Sequence, residues 1–253
     1  MHFHVLKSNN LKLIAVMIVV IALLSVNFGG KTLASAYFGQ ERKIPVYSVQ
    51  TDEKKIAISF DAAWGADKTE KIMDILDRHN VTATFFLVGF WVDKYPEMVE
   101  LIDARGFEIG THSNTHPDLV KLDSNQIFLE LKTSMEKITA RTNKPVKLFR
   151  APFGSYSNQV LTEAEKLGLI TIQWDVDSLD WQGIDGNRIT SNIITKVKNG
   201  SIILCHNNSD HILEALDGVI GALKGRGYQF VSIGELIYTQ NYSINSQGVQ
   251  IQN

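Results

Sequence analysis

Titratable side chains stand at the ends of several short apolar segments that read as β-strands. Five of the seven predicted strands carry such a group at their carboxyl ends. If the strands are parallel, these ends meet at one face of the sheet, where α/β barrels place their active sites. Polar residues scattered at random along the strands would not share one end. The sequence therefore predicts one site, formed by Asp61, His112, His116, Arg150, Asp177, Asp180 and His206.

The segment His112-Ser-Asn-Thr-His116 spaces two histidines four residues apart. If it forms one helical turn, both imidazoles project from the same side and can bind one metal ion. Thr111 and Ser113 are available to hydrogen-bond the rings. Imidazole ligands with an open position for water favour Zn²⁺, with Co²⁺ or Mn²⁺ as alternatives. The competing interpretation is a polar surface that binds nothing.

Carboxylates and a third histidine could carry proton transfers. Asp61 follows a strand directly, and it can act either as a metal ligand or as a general base. Its predicted partner across the barrel rim is Arg150. His206 could donate a proton if Asp180 holds its other ring nitrogen and raises its pKa. His206 could equally be a hydrogen-bonded histidine of the core.

Other residues near these strand ends could contact a substrate. Pro152 fixes the backbone so that the N–H of Phe153 can face a developing oxyanion. Gly154 allows the same loop to approach a ligand closely. Trp64 and Trp181 either pack at the rim or form an apolar platform for a sugar, and the sequence favours neither.

The order of elements predicts an α/β fold. Strand-like runs alternate with amphipathic helices, and about 190 residues without a reversal signal favour a distorted (β/α) barrel of about seven parallel strands. The predicted strands are 56–60, 83–88, 107–111, 147–150, 169–174, 201–204 and 229–231. The predicted helices are 67–79, 96–104, 124–141, 158–166, 189–198 and 211–224.

Composition and charge exclude several classes of protein. The 253 residues are 44% hydrophobic and 21% charged, which excludes intrinsic disorder. Residues 51–253 carry 20 Lys and Arg against 26 Asp and Glu, so no nucleic-acid partner is expected. The one cysteine, Cys205, excludes an intramolecular disulfide and a multi-thiolate metal site. Alternation along its strand makes Cys205 a core residue rather than a nucleophile.

Residues 13–24 form an unbroken apolar run preceded by Lys7 and Lys12. This pattern predicts a membrane anchor with its N-terminal side in the cytoplasm, and the alternative is a signal peptide cleaved near Ala36. Both interpretations place the following domain outside the cytoplasm. The predicted divisions are the anchor or signal peptide (1–30), a linker (31–50), the main α/β domain (51–240) and a frayed polar tail (241–253).

Five short motifs, in order, resemble those of the polysaccharide deacetylases of carbohydrate esterase family 4, which share the chitooligosaccharide-deacetylase homology domain. The first motif and the apolar N-terminal segment are most similar to the sporulation-associated subgroup. The resemblance implies a distorted barrel that removes N-acetyl groups from amino-sugar polymers such as peptidoglycan or chitin. The motifs are FDAAWG from Phe60, HSNTH from His112, RAPFG from Arg150, DSLDW from Asp177 and ILCH ending at His206.

The resemblance also implies residue roles. A divalent metal on the two motif histidines would polarise the acetamide carbonyl and a bound water. The Phe153 N–H would help to hold the oxyanion, and Leu204 and Trp181 would line the groove for the acetyl methyl. The implied metal ligands are His112 and His116, the base is Asp61 oriented by Arg150, and the acid is His206 positioned by Asp180.

The chain departs from the family pattern in its first motif. The family has a metal-binding aspartate where this chain has Ala62, and alanine cannot coordinate a metal. We therefore expect weaker metal binding by two histidines, waters and another oxygen. Asp67 could substitute after a small loop shift, or Asp61 could itself be a ligand.

The leading hypothesis is a metal-dependent N-deacetylase of a cell-wall glycan, with peptidoglycan as the expected polymer and sporulation as a possible context. The alternative is a catalytically weak glycan-binding or structural wall protein, because of Ala62. A hydrolase of small cyclic amides fits the predicted anchor poorly. A glycosidase using Asp61 and Asp177 as its carboxylate pair would leave the two motif histidines unexplained.

Overall fold

The computed structural model describes residues 41–253 together with Met17. The chain divides into two units, Met1–Arg42 and Lys43–Asn253, and the second contains the β-sheet. Apart from Met17, the predicted membrane segment at residues 13–24 lies outside the described residues. Among the residues that are described, no helix is both long enough and apolar enough to cross a membrane.

Parallel strands form the main sheet, and seven of them curl into a half-barrel. The prediction of an α/β fold with about seven parallel strands is confirmed. The strands are β1 (Ser48–Val49), β2 (Lys55–Ala62), β3 (Thr84–Leu87), β4 (Glu108–Thr111), β5 (Leu148–Phe149), β6 (Ile170–Thr171), β7 (Val176–Asp177), β8 (Ile202–His206), β9 (Gln229–Phe230), β10 (Tyr242–Ile244) and β11 (Val249–Gln252). The half-barrel has the order β6-β5-β4-β3-β2-β8-β7, and β9 joins the same sheet by pairing with the start of β2.

Helices connect the strands. The longest, α4, begins at a capping box in which Asp123 and Gln126 each accept a backbone N–H of the other. It ends at Asn143, which has the left-handed conformation that commonly stops a helix. The helices are α1 (Thr69–Arg78), α2 (Gly89–Lys94), α3 (Pro96–Ala104), α4 (Ser124–Thr142), α5 (Asn158–Lys166), α6 (Gly186–Ile194), α7 (Ile212–Gly225) and α8 (Ile233–Leu236).

Alternation along the strands separates two apolar clusters. Ile58 and Phe60 of β2 join the larger cluster, which includes the buried faces of α1, α4 and α7 and is called the outer cluster below. Ala57 joins the smaller one, called the inner cluster, which includes Phe86 and Ile202. Because side chains alternate with a period of two, Asp61 points to the same side as Ala57. The interior of the half-barrel therefore ends in polar groups at the carboxyl ends of its strands.

Both ends of the described domain differ from the prediction. The backbone of Val46, in the predicted linker, donates to Thr171 O at 3.0 Å and accepts from Gln173 N at 2.7 Å, so the linker extends the sheet beside β6. The predicted frayed tail is wrong, because β10 and β11 form a hairpin and β11 pairs with β1. The side chain of Asn245 accepts from the backbone of residues 247 and 249 and so fixes the hairpin turn.

Some element boundaries also differ. The predicted strand 169–174 is shortened to β6, and the chain then turns into the two-residue strand β7, which was not predicted. Helix α2 was not predicted either. The helix predicted at 189–198 begins earlier, at Gly186, because Asp185 caps it by accepting from Arg188 N.

Candidate active site

A cleft of about 700 Å³ opens at the carboxyl ends of the strands. Every predicted site residue either lines this cleft or, like Arg150, lies directly behind a residue that does. Its lining combines titratable groups with exposed aromatic rings. The predicted residues that line it are Asp61, Trp64, His112, His116, Phe153, Asp177, Asp180, Trp181, Leu204 and His206.

Asp61 and Arg150 form a buried ion pair at the floor of the cleft. Arg150 Nη1 donates to Asp61 Oδ1 at 2.8 Å, and neither residue is more than 6% exposed. The guanidinium lies 4.2 Å from the Phe86 ring centroid and also donates to Gln173 O. Burial alone would raise the pKa of Asp61, but the charge and hydrogen bond of Arg150, helped by the neighbouring imidazole groups, outweigh burial and lower that pKa. The carboxylate is therefore ionised.

His112 faces this carboxylate. Its Nε2 lies 3.5 Å from Asp61 Oδ2, and its Nδ1 lies 2.8 Å from the carbonyl oxygen of Arg150. Since a carbonyl can only accept, Nδ1 carries the hydrogen and Nε2 presents a lone pair. A second hydrogen bond of this kind orients most metal-binding histidines in proteins.

His116 comes beside His112 by a route that differs from the prediction. Residues 112–116 form no helical turn, because Ser113 and His116 both have left-handed backbones, with φ of 68° and 58°. The two ring centroids are nevertheless 5.0 Å apart. Glu130 of α4 holds the loop by accepting from the backbone N–H groups of Asn114 and Thr115.

Both imidazoles are in the form that binds metals. Burial lowers the pKa of His112, and burial together with the nearby His112 lowers the pKa of His116 to about 4. Both rings are thus neutral at pH 7 beside an ionised carboxylate, and neutral nitrogen and anionic oxygen are the donors that a divalent metal requires. The two histidines thus have the chemistry of metal ligands, and among the described residues no group of three or more His, Cys, Asp or Glu side chains is placed to complete such a site.

The third histidine pairs with Asp180, as expected. His206 Nδ1 lies 2.7 Å from Asp180 Oδ1, and the backbone N–H of His206 donates to Asp180 Oδ2 at 2.8 Å. Burial lowers the pKa of His206, but the hydrogen bond and charge of Asp180, with smaller effects of Asp61 and Asp177, raise it overall. The imidazolium form therefore persists to higher pH than in a free histidine, and its other nitrogen is available to the cleft.

Aromatic rings stand around His112 and His116. The rings of Trp64 and Phe153 approach His116 edge-on, with centroid distances of 4.9 and 4.7 Å. Trp64, Phe153 and Trp181 are 56%, 69% and 61% exposed, so each presents an apolar surface to solvent at the cleft. Leu204 is buried in the cleft floor.

Three further residues that the sequence analysis considered do not line the cleft. Ala62 is fully buried in the outer cluster and does not line the cleft. Asp67 is an exposed side chain near Lys68, and it does not line the cleft either. Cys205 is buried in the outer cluster, on the opposite side of β8 from His206, and burial raises the pKa of its thiol.

Sequence reasoning missed several supporting residues. Trp174 lines the cleft, and its ring lies 5.6 Å from the Arg150 guanidinium. Gln173 donates to Gly154 O and holds the loop that carries Phe153. A signal was available for these two, because both end a predicted strand. Glu130 had none, since it lies within an amphipathic helix.

Comparison with known proteins gives the family. A family model for polysaccharide deacetylases matches residues 48–172. The chain is 35% identical over 204 residues to the peptidoglycan-N-acetylmuramic acid deacetylase PdaA of Bacillus subtilis, covering 79% of this chain and 78% of that protein. This chain belongs to the polysaccharide deacetylase family. The resemblance stated from the five motifs is confirmed, and relatives that are named as deacetylases support a hydrolase.

Other relatives of this polysaccharide deacetylase-family chain are longer. It is 34% identical to the uncharacterized protein YlxY of Bacillus subtilis, over 76% of this chain and 60% of YlxY. It is 32% identical to the peptidoglycan-N-acetylglucosamine deacetylase PgdA of Listeria monocytogenes, over 83% of this chain and 44% of PgdA. The chain thus spans roughly half the length of these two relatives.

Solved structures include a relative described as inactive. A carbohydrate esterase family 4 pseudoenzyme of Bacillus anthracis, BA3943, superimposes with a TM-score of 0.74 at 34% identity, over 76% of this chain and 68% of that one. A mutant of BA3943, described as having restored enzymatic activity, matches at 36% identity with the same TM-score, over 76% of this chain and 70% of that one. Related sequences on this fold therefore differ in whether they catalyse.

Proposed function

We propose that the protein is a metal-dependent hydrolase that removes N-acetyl groups from amino-sugar residues of a cell-wall glycan, with peptidoglycan as the substrate. One observation carries the proposal: two neutral imidazoles, the Asp61–Arg150 pair and the His206–Asp180 pair share one cleft. Amide hydrolysis needs an activated water, a base and an acid for the departing amine. The cleft supplies a candidate for each.

His112 and His116 would hold the metal. When bound there, a divalent metal polarises the amide carbonyl and lowers the pKa of a coordinated water. Asp61 is kept ionised by Arg150 and can take a proton from the attacking water. His206 can donate a proton from Nε2 to the departing amine, because Asp180 holds Nδ1.

The rim would bind the sugar chain. Trp64 and Trp181 expose flat apolar faces of the size of a pyranose ring, and such faces bind sugars by stacking. The described residues that line the cleft include no lysine or arginine. Recognition of a neutral glycan therefore fits the cleft better than recognition of a phosphorylated one.

The relatives support the class of substrate. PdaA and PgdA are named as deacetylases of peptidoglycan N-acetylmuramic acid and N-acetylglucosamine, so the family name alone does not choose between these sugars. We also propose that the apolar segment at residues 13–24 directs the domain to the outside of the cytoplasm, where peptidoglycan lies. A role in sporulation is supported by motif resemblance alone.

The test is acetate release from peptidoglycan fragments, together with metal content. We expect the double variant His112→Ala/His116→Ala to lose both bound metal and acetate release. The double variant His79→Ala/His211→Ala is the matched control, because these histidines pair with surface carboxylates outside the cleft. Acetate release by the first double variant at the wild-type rate would contradict the proposal.

A second candidate function is glycan binding with little or no catalysis. It is favoured by Ala62, which replaces the family's metal-binding aspartate, and it gains support from the pseudoenzyme BA3943. Wild-type protein that binds glycan and metal but releases no acetate with zinc, cobalt or manganese would establish this second function.

A further inference from the structure

We propose that Asn207 is a positioning residue, which holds Trp64 in the orientation that stacks on the sugar chain. The inference rests on the proposed function only in taking an N-acetylated amino-sugar glycan as the molecule that enters the cleft. Asn207 follows His206 at the end of β8, and it is fully buried and does not line the cleft. It therefore acts through another residue rather than by touching the glycan.

Trp64 lies between β2 and α1, in a segment called the Trp64 loop (residues 63–68) below. Its ring is 56% exposed and contacts the rings of His116 and Phe90, with centroid distances of 4.9 and 6.4 Å. An exposed ring contributes most to binding when it is already held in place, because ordering a mobile loop and side chain costs part of the stacking energy. The backbone of the Trp64 loop therefore matters as much as the ring.

One carbonyl group holds this loop. Gly65 O accepts from Asn207 Nδ2 at 2.9 Å and from Trp91 Nε1 at 2.6 Å. Gly65 has φ of 64°, a left-handed conformation that glycine adopts without strain, and it makes the turn directly after Trp64. Because the two residues are adjacent, holding the Gly65 carbonyl restricts the backbone from which the Trp64 side chain projects.

Asn207 also joins both ends of the Trp64 loop to β8. Its Nδ2 donates to Oγ1 of Thr69, the first residue of α1, at 3.0 Å. Its backbone N–H donates to Asp61 O, near the end of β2, at 3.2 Å. One buried residue thus contacts the segment before the loop, the turn within it and the helix after it.

The Asn207 amide has a cost to stability that its contacts with the loop explain. Its Oδ1 is buried and has no hydrogen-bond partner among the described residues. An unpaired buried acceptor is unfavourable, so an apolar side chain of similar volume would avoid this cost. What such a side chain would lack is the Nδ2 group, whose two hydrogen bonds go to the turn and the end of the loop.

The neighbouring His206 is held by other contacts. Its ring Nδ1 lies 2.7 Å from Asp180 Oδ1, and its backbone N–H donates to Asp180 Oδ2. The side-chain hydrogen bonds of Asn207 go to Gly65 and Thr69 instead. We therefore expect the loss of the Asn207 amide to weaken glycan binding through Trp64.

The test is a double-mutant cycle on the binding of a peptidoglycan tetrasaccharide, in which N-acetylglucosamine and N-acetylmuramic acid alternate, measured by calorimetry. Asn207→Leu keeps a similar volume and removes the donors, and Trp64→Ala removes the ring. We expect Asn207→Leu to raise Kd about fivefold with Trp64 present and less than about twofold in the Trp64→Ala background. An equal rise in both backgrounds, or no rise in either, would overturn the inference.

Asn245→Ala is the matched control. The Asn245 side chain also holds a turn by hydrogen bonds to the backbone, but that turn belongs to the hairpin and does not line the cleft. We expect its Kd to equal that of the wild type. A rise in Kd as large as that of Asn207→Leu would show that loosening any turn weakens binding, which would overturn the specific role of Asn207.

A crystal structure of the wild-type protein with the tetrasaccharide gives a measurement that needs no variant to fold. A sugar ring stacked on Trp64, with Gly65 O still bonded to Asn207, would support the inference, and a sugar chain that does not contact Trp64 would overturn it. Acetate release is measured in parallel. Binding that follows the cycle without acetate release would refute the proposed activity alone, whereas acetate release with a Kd insensitive to Asn207→Leu would refute the positioning role alone.

Discussion

Each end of the half-barrel contains a shielded carboxylate, Asp61 buried and Glu108 half-buried, and the two are stabilised in opposite ways. At the carboxyl end, Arg150 keeps Asp61 ionised with a lowered pKa. At the amino end of β4, Glu108 accepts hydrogen bonds from the Thr84 hydroxyl and the Gly234 N–H, and its pKa is raised by burial. A cation beside a buried carboxylate preserves its charge, whereas neutral donors satisfy its oxygens and leave protonation favourable. The first end is suited to chemistry and the second to joining β4 to α8.

The backbone shows the same contrast. Before the amino ends of the strands, the left-handed residues are glycines and asparagines, which tolerate that conformation, and they include Gly106, Gly168 and Asn143. Near the carboxyl ends, residues other than glycine and asparagine also adopt the left-handed conformation, which is costly for them. These residues are Ser113, His116, Phe153 and Leu179. Strain of this kind persists where surrounding contacts enforce it, and it concentrates at functional sites.

The largest effect is expected at Arg150. The variant Arg150→Met fills a similar volume but leaves Asp61 buried without its cation, which costs about 3–5 kcal/mol of unfolding free energy. The carbonyl that orients His112 is unchanged by this substitution, so the loss reports on the guanidinium. Urea unfolding measures the effect.

Arg150→Lys is the control for this measurement. Lysine retains the positive charge but lacks the planar guanidinium, whose second nitrogen also donates to Gln173 O. We therefore expect Arg150→Lys to lose less stability than Arg150→Met. If Arg150→Met were as stable as wild type, the charge of Asp61 would not depend on Arg150, and the contrast between the two ends would fail.

The sequence predicts much of the carboxyl end because function there depends on position along strands. Asp61, His112, Arg150 and His206 could be assigned to one site from strand order alone, since parallel strands bring their carboxyl ends together. The shape of the HSNTH loop could not be predicted. Glu130, fourteen residues or more away, holds that loop, and no periodic pattern reveals a contact of this kind.

The amino end was less predictable. Glu108 bonds to Gly234 across 126 positions of sequence, and nothing in either segment indicates the partner. The prediction for the tail failed for a different reason: β10 and β11 are short, and the pairing of β11 with β1 becomes visible only once the linker is placed. Two-residue strands such as β7 are too short to show an alternation at all.

An effect of intermediate size on the unfolding free energy is expected at Glu108, and this effect depends on pH. The folded-state pKa of Glu108 is raised, so the folded protein binds this proton more tightly than the unfolded chain does. The corresponding stability is present below the ordinary pKa of 4.5 and is lost as pH rises through the raised value. Glu108→Gln does not titrate, so we expect its unfolding free energy to improve relative to wild type between about pH 4 and pH 7.

Urea unfolding at several pH values measures this difference. Glu97→Gln, on the exposed side of α3, changes the net charge identically and serves as the control. A difference between Glu108→Gln and wild type that stays constant with pH would show that the Glu108 carboxyl has the same proton affinity in the folded and unfolded states.

The smallest effect on stability is expected at Phe153, where the effect of backbone strain can be separated from the effect of losing the aromatic ring. Its backbone has φ of 60°, and its ring is 69% exposed. Phe153→Gly relieves about 1 kcal/mol of backbone strain, but the flexible glycine stabilises the unfolded chain by about 0.5–1 kcal/mol. We therefore expect an unfolding free energy close to that of wild type. The lost ring should still raise KM for N-acetylated glycan fragments about fivefold to tenfold, because stacking contributes about 1–1.4 kcal/mol.

Phe153→Ala completes the comparison, since it removes the ring and keeps the strained backbone. It should raise KM as much as Phe153→Gly does, and its unfolding free energy should be equal to that of Phe153→Gly or slightly lower, because the strain that glycine relieves is offset by most of the cost of its flexibility. An unchanged KM in both variants would remove Phe153 from the substrate surface, and its left-handed backbone would then serve only the packing of the loop against His116 and Gln173. A Phe153→Gly variant that is about 0.5–1 kcal/mol less stable than Phe153→Ala would show instead that the backbone here is not strained, and that the contrast with the glycine-bearing end rests on charge alone.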